Sequence, residues 1–147
     1  MGLLKDIGPG PVGLDTAIFI YLIEDHPQYR RVVGPLFRAI DKGRLTAVTS
    51  ELTLLETLVV PYRKGFSDLA ERYEAILTGS RNLEVVPLTR SLLRSAAALR
   101  AATSVKTPDA IQIAAALSRR CSALISNDRV LPSLPGIRVL QLQPYLS

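Results

Sequence analysis

The stretch that decides the fold is residues 106–128, KTPDAIQIAAALSRRCSALISND, in which a helix precedes a short apolar strand. Thr107 followed by Pro108 is typical of a helix start, because threonine caps free backbone N–H groups and proline fits the first helical position. The helix is predicted to run to Arg119-Arg120, since basic side chains are favoured at the negative end of the helix dipole. The continuous apolar run Ala123–Ser126 then predicts a strand that is buried on both faces.

The same alternation of helices and apolar runs extends outward over the rest of the chain. Further strands are predicted at Val12–Asp15, Leu45–Thr49, Leu83–Pro87 and Ile137–Leu140. Further helices are predicted at 17–24 with a Thr16 cap, from Pro27 to Lys42, from a Ser50 cap to about Val60, at 67–77, and at 90–101 with a Thr89 cap. Alternating strands and helices imply a parallel sheet covered on both faces, so the predicted class is α/β. We expect one domain over 1–147, with 1–11 as an N-terminal extension.

Length and composition are those of a globular domain. The chain has 147 residues, 48% of them hydrophobic, which is enough for one core. No apolar run approaches the roughly 20 residues that span a membrane. The first residues carry Asp6 and the loop-forming Gly8–Pro11 where a signal peptide has a basic start and an apolar middle. We therefore expect a cytoplasmic protein with no membrane partner.

Cysteine and histidine occur once each, at Cys121 and His26. An internal disulfide and a cysteine zinc cluster are therefore excluded. Cys121 opens an apolar run and is interpreted as a core residue, whereas His26 lies in a polar turn, EDHPQ, and is interpreted as a solvated histidine. Lys and Arg number 18 against 13 Asp and Glu, and the net charge of +5 suits a polyanionic partner. The basic residues are scattered, however, and each pair also fits a solvated helix face.

Four acidic residues adjoin apolar segments where solvation does not require them. Asp15 and Asp128 follow predicted strands, and Glu56 and Asp109 lie on predicted helices. Ligands of parallel α/β folds bind beyond the carboxyl ends of the strands, where strand order reverses. If the first and fourth strands are neighbours, Asp15 and Asp128 face each other there. Each aspartate also has a simpler interpretation, since the helix dipole favours acids at 15 and 109 and a turn accommodates one at 128.

Glu56 is harder to explain without a function. Its neighbours at helical spacing are Leu52, Thr53, Val59 and Val60. A carboxylate inside an apolar stripe is costly unless it is paired or metal-bound. This residue therefore gives the acidic set most of its weight.

Together the four carboxylates suit one or two hard cations such as Mg²⁺ or Mn²⁺, which take oxygen ligands. Such an ion would lower the pKa of a bound water and hold a phosphodiester for in-line attack, while basic residues would bind the rest of the backbone. Glu51 lies in a first helical turn and is interpreted as an acid that stabilises the helix dipole. Gln112, one turn after Asp109, could share its face of the helix, but it is interpreted as an ordinary polar helix position.

At these residues the chain resembles the PIN-domain family, in particular the VapC-type toxin ribonucleases of bacterial and archaeal toxin–antitoxin pairs. The resemblance extends from Val12 to about Leu140. Each of its motifs is weak alone, and the set in this order is fairly specific. The motifs are Asp15-Thr16, Glu56 within TSELTLLETLV, Pro108-Asp109-Ala110 followed by Ala114-Ala115-Ala116, and Ser126-Asn127-Asp128.

The resemblance implies a three-layer α/β/α sandwich around a parallel sheet and Mg²⁺- or Mn²⁺-dependent cleavage of RNA. It also implies inhibition by a cognate antitoxin and a homodimer. The catalytic, metal-binding acids would be Asp15, Glu56, Asp109 and Asp128, supported through hydrogen bonds by Thr16, Ser126 and Asn127.

The chain departs from the family pattern in three places. Ser126 replaces the usual threonine, which keeps the hydroxyl group and loses a methyl group. Arg129-Val130-Leu131 supplies no further acid after Asp128, which leaves the choice between one and two metals open. The segment before Val12 is longer than usual and has no assigned role.

Two other functions fit parts of the pattern. A catalytically silent PIN-like module would bind RNA or a protein without turnover, although the complete acidic set argues against it. A receiver-like domain would accept phosphate on a strand-end aspartate, which requires adjacent acids in an early loop and a lysine after a late strand. Asp15 stands alone at the first strand end, and the late strands offer Arg129 and Arg138 but no lysine.

Overall fold

The computed structural model describes residues 2–146, so Met1 of the predicted extension and the terminal Ser147 lie outside the described residues. The strands are β1 (Val12–Leu14), β2 (Ala47–Ser50), β3 (Leu83–Val86), β4 (Ala123–Ser126) and β5 (Arg138–Gln141). The α-helices are α1 (Gly2–Ile7), α2 (Thr16–Ile23), α3 (Arg30–Asp41), α4 (Glu51–Lys64), α5 (Ser67–Gly79), α6 (Arg90–Ala102) and α7 (Thr107–Ser118). A 3₁₀ turn covers Gln143–Tyr145. No helix within 2–146 is both long enough and apolar enough to cross a membrane.

The five strands form one parallel sheet in the order β3-β2-β1-β4-β5. The predicted α/β class is therefore confirmed. The chain moves outward from β1 through β2 to β3 and then returns to the other side of β1 with β4, so strand order reverses between β1 and β4. A receiver-like fold has the order 2-1-3-4-5, and the observed order argues against that alternative.

Alternate residues of the central strands contact different helix layers. Val12 and Leu14 pack into one apolar cluster with α1, α2 and α3, whereas Leu124 packs into a second cluster with α6 and α7. Gly13 faces this second layer, and a Cβ atom there would lie 2.9 Å from both the Ala116 Cβ and the Leu124 Cδ1 atoms. Glycine therefore lets α7 approach β1 closely, and the two helix layers complete the three-layer sandwich.

Several predicted boundaries are wrong for identifiable reasons. Asp15 caps α2 in place of Thr16, because its Oδ1 atom accepts from the backbone N–H of Ala17 at 2.9 Å. The helix predicted from Pro27 begins at Arg30, since residues 27–29 form turns and His26 Nδ1 accepts from two of their N–H groups at 3.1 Å. His26 is therefore a half-buried turn residue whose ring also accepts hydrogen bonds from backbone groups.

Helix α4 continues through Pro61 to Lys64, although it was predicted to end near Val60. Proline forfeits one helical hydrogen bond, but only the last turn of α4 is affected. The helix ends at Gly65, where a φ of 72° turns the chain so that the Phe66 N–H donates to the carbonyl group of Pro61 at 2.8 Å. The end of the helix is thus set by glycine and not by proline.

The N-terminal segment contains a helix, α1, that the sequence did not predict. Leu3 and Ile7 of α1 are buried against the core. The guanidinium group of Arg138 donates to the carbonyl groups of Asp6 and Ile7 at 2.9 and 3.3 Å, and the Tyr145 hydroxyl group donates to the Asp6 carboxylate. Because Arg138 begins β5, α1 lies at the amino ends of the strands, at the opposite edge from Asp15.

Candidate active site

Two of the four predicted acids lie at the carboxyl ends of adjacent strands. Asp15 directly follows β1, and its backbone N–H donates to the Ile125 carbonyl group of β4 at 3.1 Å. Asp128 follows β4 by two residues. Since β1 and β4 are paired where strand order reverses, both acids lie at the position that α/β folds use for ligands.

The Asp15 carboxylate is held by two donors. Its Oδ1 atom accepts from the Ala17 N–H at 2.9 Å, and its Oδ2 atom accepts from the Ser126 hydroxyl group at 2.6 Å. Burial raises the pKa of Asp15 above its ordinary value, and the charges of Glu56 and Asp128 raise it further, although the two hydrogen bonds act in the opposite direction. The negative charge at this position is therefore unfavourable in the protein alone.

Asp109 lies in the first turn of α7 and meets Asp128. Burial, followed by the hydrogen-bonding carboxyl group of Asp128, raises the pKa of Asp109 to about 7. Two acids that share a site do not both ionise readily, so one proton is retained near neutral pH. Two hydrogen bonds fix the Asp128 loop. The backbone N–H of Asp128 donates to the Ser126 hydroxyl group at 3.1 Å, and the Gln141 Nε2 atom donates to the backbone carbonyl group of Asp128 at 2.8 Å.

Glu56 reaches the same place from α4. Its Oε1 atom accepts from the Thr16 hydroxyl group at 2.5 Å. The apolar stripe inferred from sequence is wrong, because Val59 and Val60 are 39% and 46% exposed. Glu56 instead lies half-buried at the edge of a cleft, with Thr16 as its neighbour.

The acids border two neighbouring cavities. The first, of about 370 Å³, is lined by Asp15, Thr16, Ala17, Ile20, Glu56, Pro108, Asp109 and Gln112. The second, of about 300 Å³, is lined by Ser104, Val105, Lys106, Asp109, Asp128, Val130, Leu131 and Pro132. Asp109 lines both and forms the ridge between the two spaces. A larger cavity of about 560 Å³ between α1 and α3 is lined by Arg31, Tyr145 and mostly apolar residues, and it lies away from this ridge.

The predicted supporting residues differ in what they contact. Thr16 donates to Glu56, and Ser126 bridges Asp15 and the Asp128 backbone. Asn127 instead donates from Nδ2 to the Tyr21 hydroxyl group at 3.0 Å. It therefore links the β4 end to the aromatic side chains of α2 and not to the acids.

Gln112 was interpreted as an ordinary polar position, and this interpretation is wrong. It is 4% exposed and binds Ser50 of β2, Thr53 of α4 and Thr16 of α2. One signal was available in the sequence, because Gln112 is the single polar residue in the otherwise apolar run 110–117. A lone amide in a buried helix face requires partners, and here these lie next to the acids.

The donor set fits a divalent cation, although it is not a closed cage. Among residues 2–146, no three Asp, Glu, His or Cys side chains are arranged to hold a metal ion as they stand. Mg²⁺ usually binds one or two carboxylates and keeps several waters, so an enclosed site is not required. The raised pKa values of Asp15 and Asp109 agree with this fit, because a cation between crowded carboxylates relieves their repulsion.

Known structures of toxin–antitoxin systems share this fold. VapBC2 of Rickettsia felis, solved with a promoter DNA fragment, matches with a TM-score of 0.69 and 16% identity over 90% of this chain and 98% of the other. A toxin–antitoxin complex from Klebsiella pneumoniae matches with a TM-score of 0.66 and 22% identity over 90% and 97%. VapC20 of Mycobacterium tuberculosis, a toxin that cleaves the sarcin–ricin loop, matches with a TM-score of 0.63 and 18% identity over 78% of this chain and 87% of the other. At these identities the matches show the fold.

A search of curated protein sequences gave no significant match. The family model of the PIN domain, however, matches residues 12–137, which contain strands β1 to β4 and end directly before β5. Because this match covers most of the chain, the protein belongs to the PIN-domain family.

Proposed function

We propose that this chain is a single-domain, metal-dependent endoribonuclease that acts as the toxin of a toxin–antitoxin pair. The observation that carries the proposal is the meeting of Asp15, Glu56, Asp109 and Asp128 at the strand-order reversal. The four carboxylates come from separate parts of the chain and repel one another. Such an arrangement is expected where a cation is bound and is difficult to explain by stability alone.

The same four acids would hold Mg²⁺ or Mn²⁺. Use of divalent metals is general among PIN nucleases, and carboxylate oxygens are the ligands that these ions prefer. When bound, the ion supplies positive charge that lowers the pKa of a coordinated water and offsets the charge of a phosphodiester. Asp109 would release its retained proton on ion binding, since a ligating carboxyl group must be ionised.

Neighbouring residues would keep the acids in position for cleavage. Ser126 and the Ala17 N–H hold both oxygens of Asp15, which orients that carboxylate toward the cleft. Thr16, which follows Asp15 directly, holds Glu56 in the same cleft. Preorganised groups of this kind avoid rearrangement during the reaction.

RNA is the proposed substrate because the protein is basic overall. Its net charge of +5 favours a polyanion. Lys106 lines the cavity beside Asp109 and Asp128 and is suitably placed to contact a phosphate next to the scissile one. The likeness to toxin–antitoxin structures supports a cognate antitoxin as the protein partner, with a homodimer and a cytoplasmic location as further parts of the proposal.

The test is RNA cleavage with Mg²⁺ or Mn²⁺ by wild type and Asp15→Asn. We expect Asp15→Asn to lower the rate at least about 100-fold, since it removes a proposed metal ligand without changing shape. Asp68→Asn, an exposed acid in the first turn of α5, is the matched control. Equal cleavage by Asp15→Asn and the control would exclude the proposed role.

A catalytically silent PIN-like module remains the second candidate, and the open arrangement of the acids favours it. Calorimetric titration with Mn²⁺ separates the two functions. Binding by wild type and its loss in Asp15→Asn supports the nuclease. RNA binding by a wild-type protein that binds no Mn²⁺ supports the silent module.

A further inference from the structure

Gln112 is a buried residue whose amide orientation is determined by its partners. Its Oε1 atom accepts from the backbone N–H of Ser50 at 3.3 Å. A backbone N–H can only donate, so the amide oxygen must face Ser50. The Nε2 atom lies 2.8 Å from the Thr53 Oγ1 atom and 3.4 Å from the Thr16 Oγ1 atom. Gln112 therefore donates to both threonines.

The hydroxyl group of Thr49 determines the direction of the next bonds. Thr49 donates its single proton to the carbonyl group of Leu14 at 2.8 Å, because a carbonyl group can only accept. The 2.7 Å contact between Thr49 and Thr53 must then use the Thr53 proton. With its proton used, Thr53 is an acceptor toward Gln112.

Thr16 has two possible acceptors for its own proton. Its hydroxyl group lies 2.5 Å from the Glu56 Oε1 atom and 3.2 Å from the Thr53 Oγ1 atom. The Gln112 amide group already donates to Thr53 and so reduces the competition of Thr53 for the Thr16 proton. Without the amide group, both lone pairs of the Thr53 oxygen instead of one would be open to the Thr16 proton, and the restraint on Glu56 would weaken.

We propose that Gln112 is a positioning residue that acts through Thr16 to keep Glu56 directed into the acidic cleft. Its importance for cleavage rests on the proposed function, because only that function gives Glu56 a role in the reaction. The restraint on Glu56 itself does not depend on that function. Gln112 also lines the cleft, so direct contact with the substrate is the alternative that the experiment must separate.

The first measurement requires neither metal nor activity. The carboxyl ¹³C resonance of Glu56 is compared in wild type, Gln112→Met and Thr57→Val by NMR. Thr57 is the matched control, because its hydroxyl group is also buried in α4 but donates to backbone carbonyl groups. We expect the resonance to move in Gln112→Met and to stay in Thr57→Val, and an unmoved resonance in Gln112→Met overturns the proposal. If Gln112→Met does not fold, Gln112→Asn, one methylene group shorter, replaces it with the same expectation.

The second measurement separates action through Thr16 from direct contact. Gln112→Met, Thr16→Val and the double variant are compared for kcat and KM on RNA. Each single change should lower kcat about 10- to 100-fold with KM unchanged, and the double variant should be no worse than Thr16→Val. Thr16→Ser, which keeps the hydroxyl group, should recover most of the loss seen in Thr16→Val.

Additive losses, or a change in KM alone, would overturn the proposal in favour of direct contact. The proposed function can fail separately from this inference. If wild type cleaves no RNA while the Glu56 resonance still moves in Gln112→Met, the endoribonuclease assignment fails and the positioning role stands.

Discussion

Replacing Asp109 with asparagine should stabilise the metal-free protein at alkaline pH, even though it removes a proposed metal ligand. Burial, then the carboxyl group of Asp128, then two further acids raise the pKa of Asp109 from 3.8 to about 7. That difference corresponds to roughly 4 kcal/mol, at about 1.4 kcal/mol for each pH unit. Because the carboxyl group is only half-buried, solvent screening reduces the expected effect to about 2 kcal/mol.

The direction of the effect with pH follows from which state binds the proton more tightly. The folded protein binds it with a pKa of about 7 and the unfolded chain with a pKa near 3.8. The stabilising contribution of the proton is therefore complete below about pH 4 and is lost as pH rises to about 7. Asparagine has no titrating proton, so the advantage of Asp109→Asn over wild type should grow across this range and be largest above it.

Urea unfolding in EDTA at pH 4.5 and pH 8 measures this advantage. We expect the free energy of unfolding of Asp109→Asn, relative to wild type, to rise by about 2 kcal/mol between the two conditions. Asp68→Asn, at an exposed position, should show a constant difference. A constant or shrinking difference for Asp109→Asn would refute the claim that burial and the neighbouring acids raise the pKa of Asp109.

Three further predictions concern packing, the Asp15 carboxylate and the substrate. Gly13→Ala should lower stability by about 1–3 kcal/mol in thermal denaturation, since the added methyl group would lie 2.9 Å from the methyl group of Ala116. Gly79→Ala should cause no such loss, because nothing lies within 4 Å of the added methyl group. Equal losses in the two variants would contradict the packing argument. Ser126→Ala removes a hydrogen bond that lowers the pKa of Asp15, so the acid limb of the pH–rate profile should move to higher pH; an unmoved limb would mean that Asp15 does not control it. Raising salt from 50 to 200 mM should raise KM for RNA because the protein carries a net charge of +5, and a KM independent of salt would argue against phosphate contacts.

The sheet was predictable because its signals are local. Each of the first three strands is a short, mostly apolar run followed by a helix, and the caps predicted at Ser50 and Thr89 are both present. Local chemistry did not distinguish Asp15 from Thr16 as the cap of α2, because both side chains can accept from backbone N–H groups. In the structure Asp15 caps α2, while the Thr16 hydroxyl group donates to Glu56, 40 residues away.

The features that the sequence did not reveal depend on partners far along the chain. Helix α1 is held by Arg138 and Tyr145 at the other end of the protein, and its six residues are too few for apolar spacing alone to identify it. Gln112 binds Ser50 and Thr53, about 60 residues earlier. A sequence pattern can indicate that such a residue requires partners, but only the strand order shows which partners it meets.

In the proposed site, the crowding of carboxylates that favours ion binding also lowers the stability of the metal-free protein. Asp15 and Asp128 follow β1 and β4, central strands whose residues are mostly fully buried, and this packing keeps the acids together despite their repulsion. A cation bound among the carboxylates would remove the repulsion, and its stabilising effect would grow with its concentration relative to its Kd. A substitution that removes the repulsion permanently, such as Asp109→Asn, should therefore raise the stability of the metal-free protein and reduce its response to added Mn²⁺. If the two effects do not change together, the raised pKa of Asp109 reflects burial and not the preparation of an ion site.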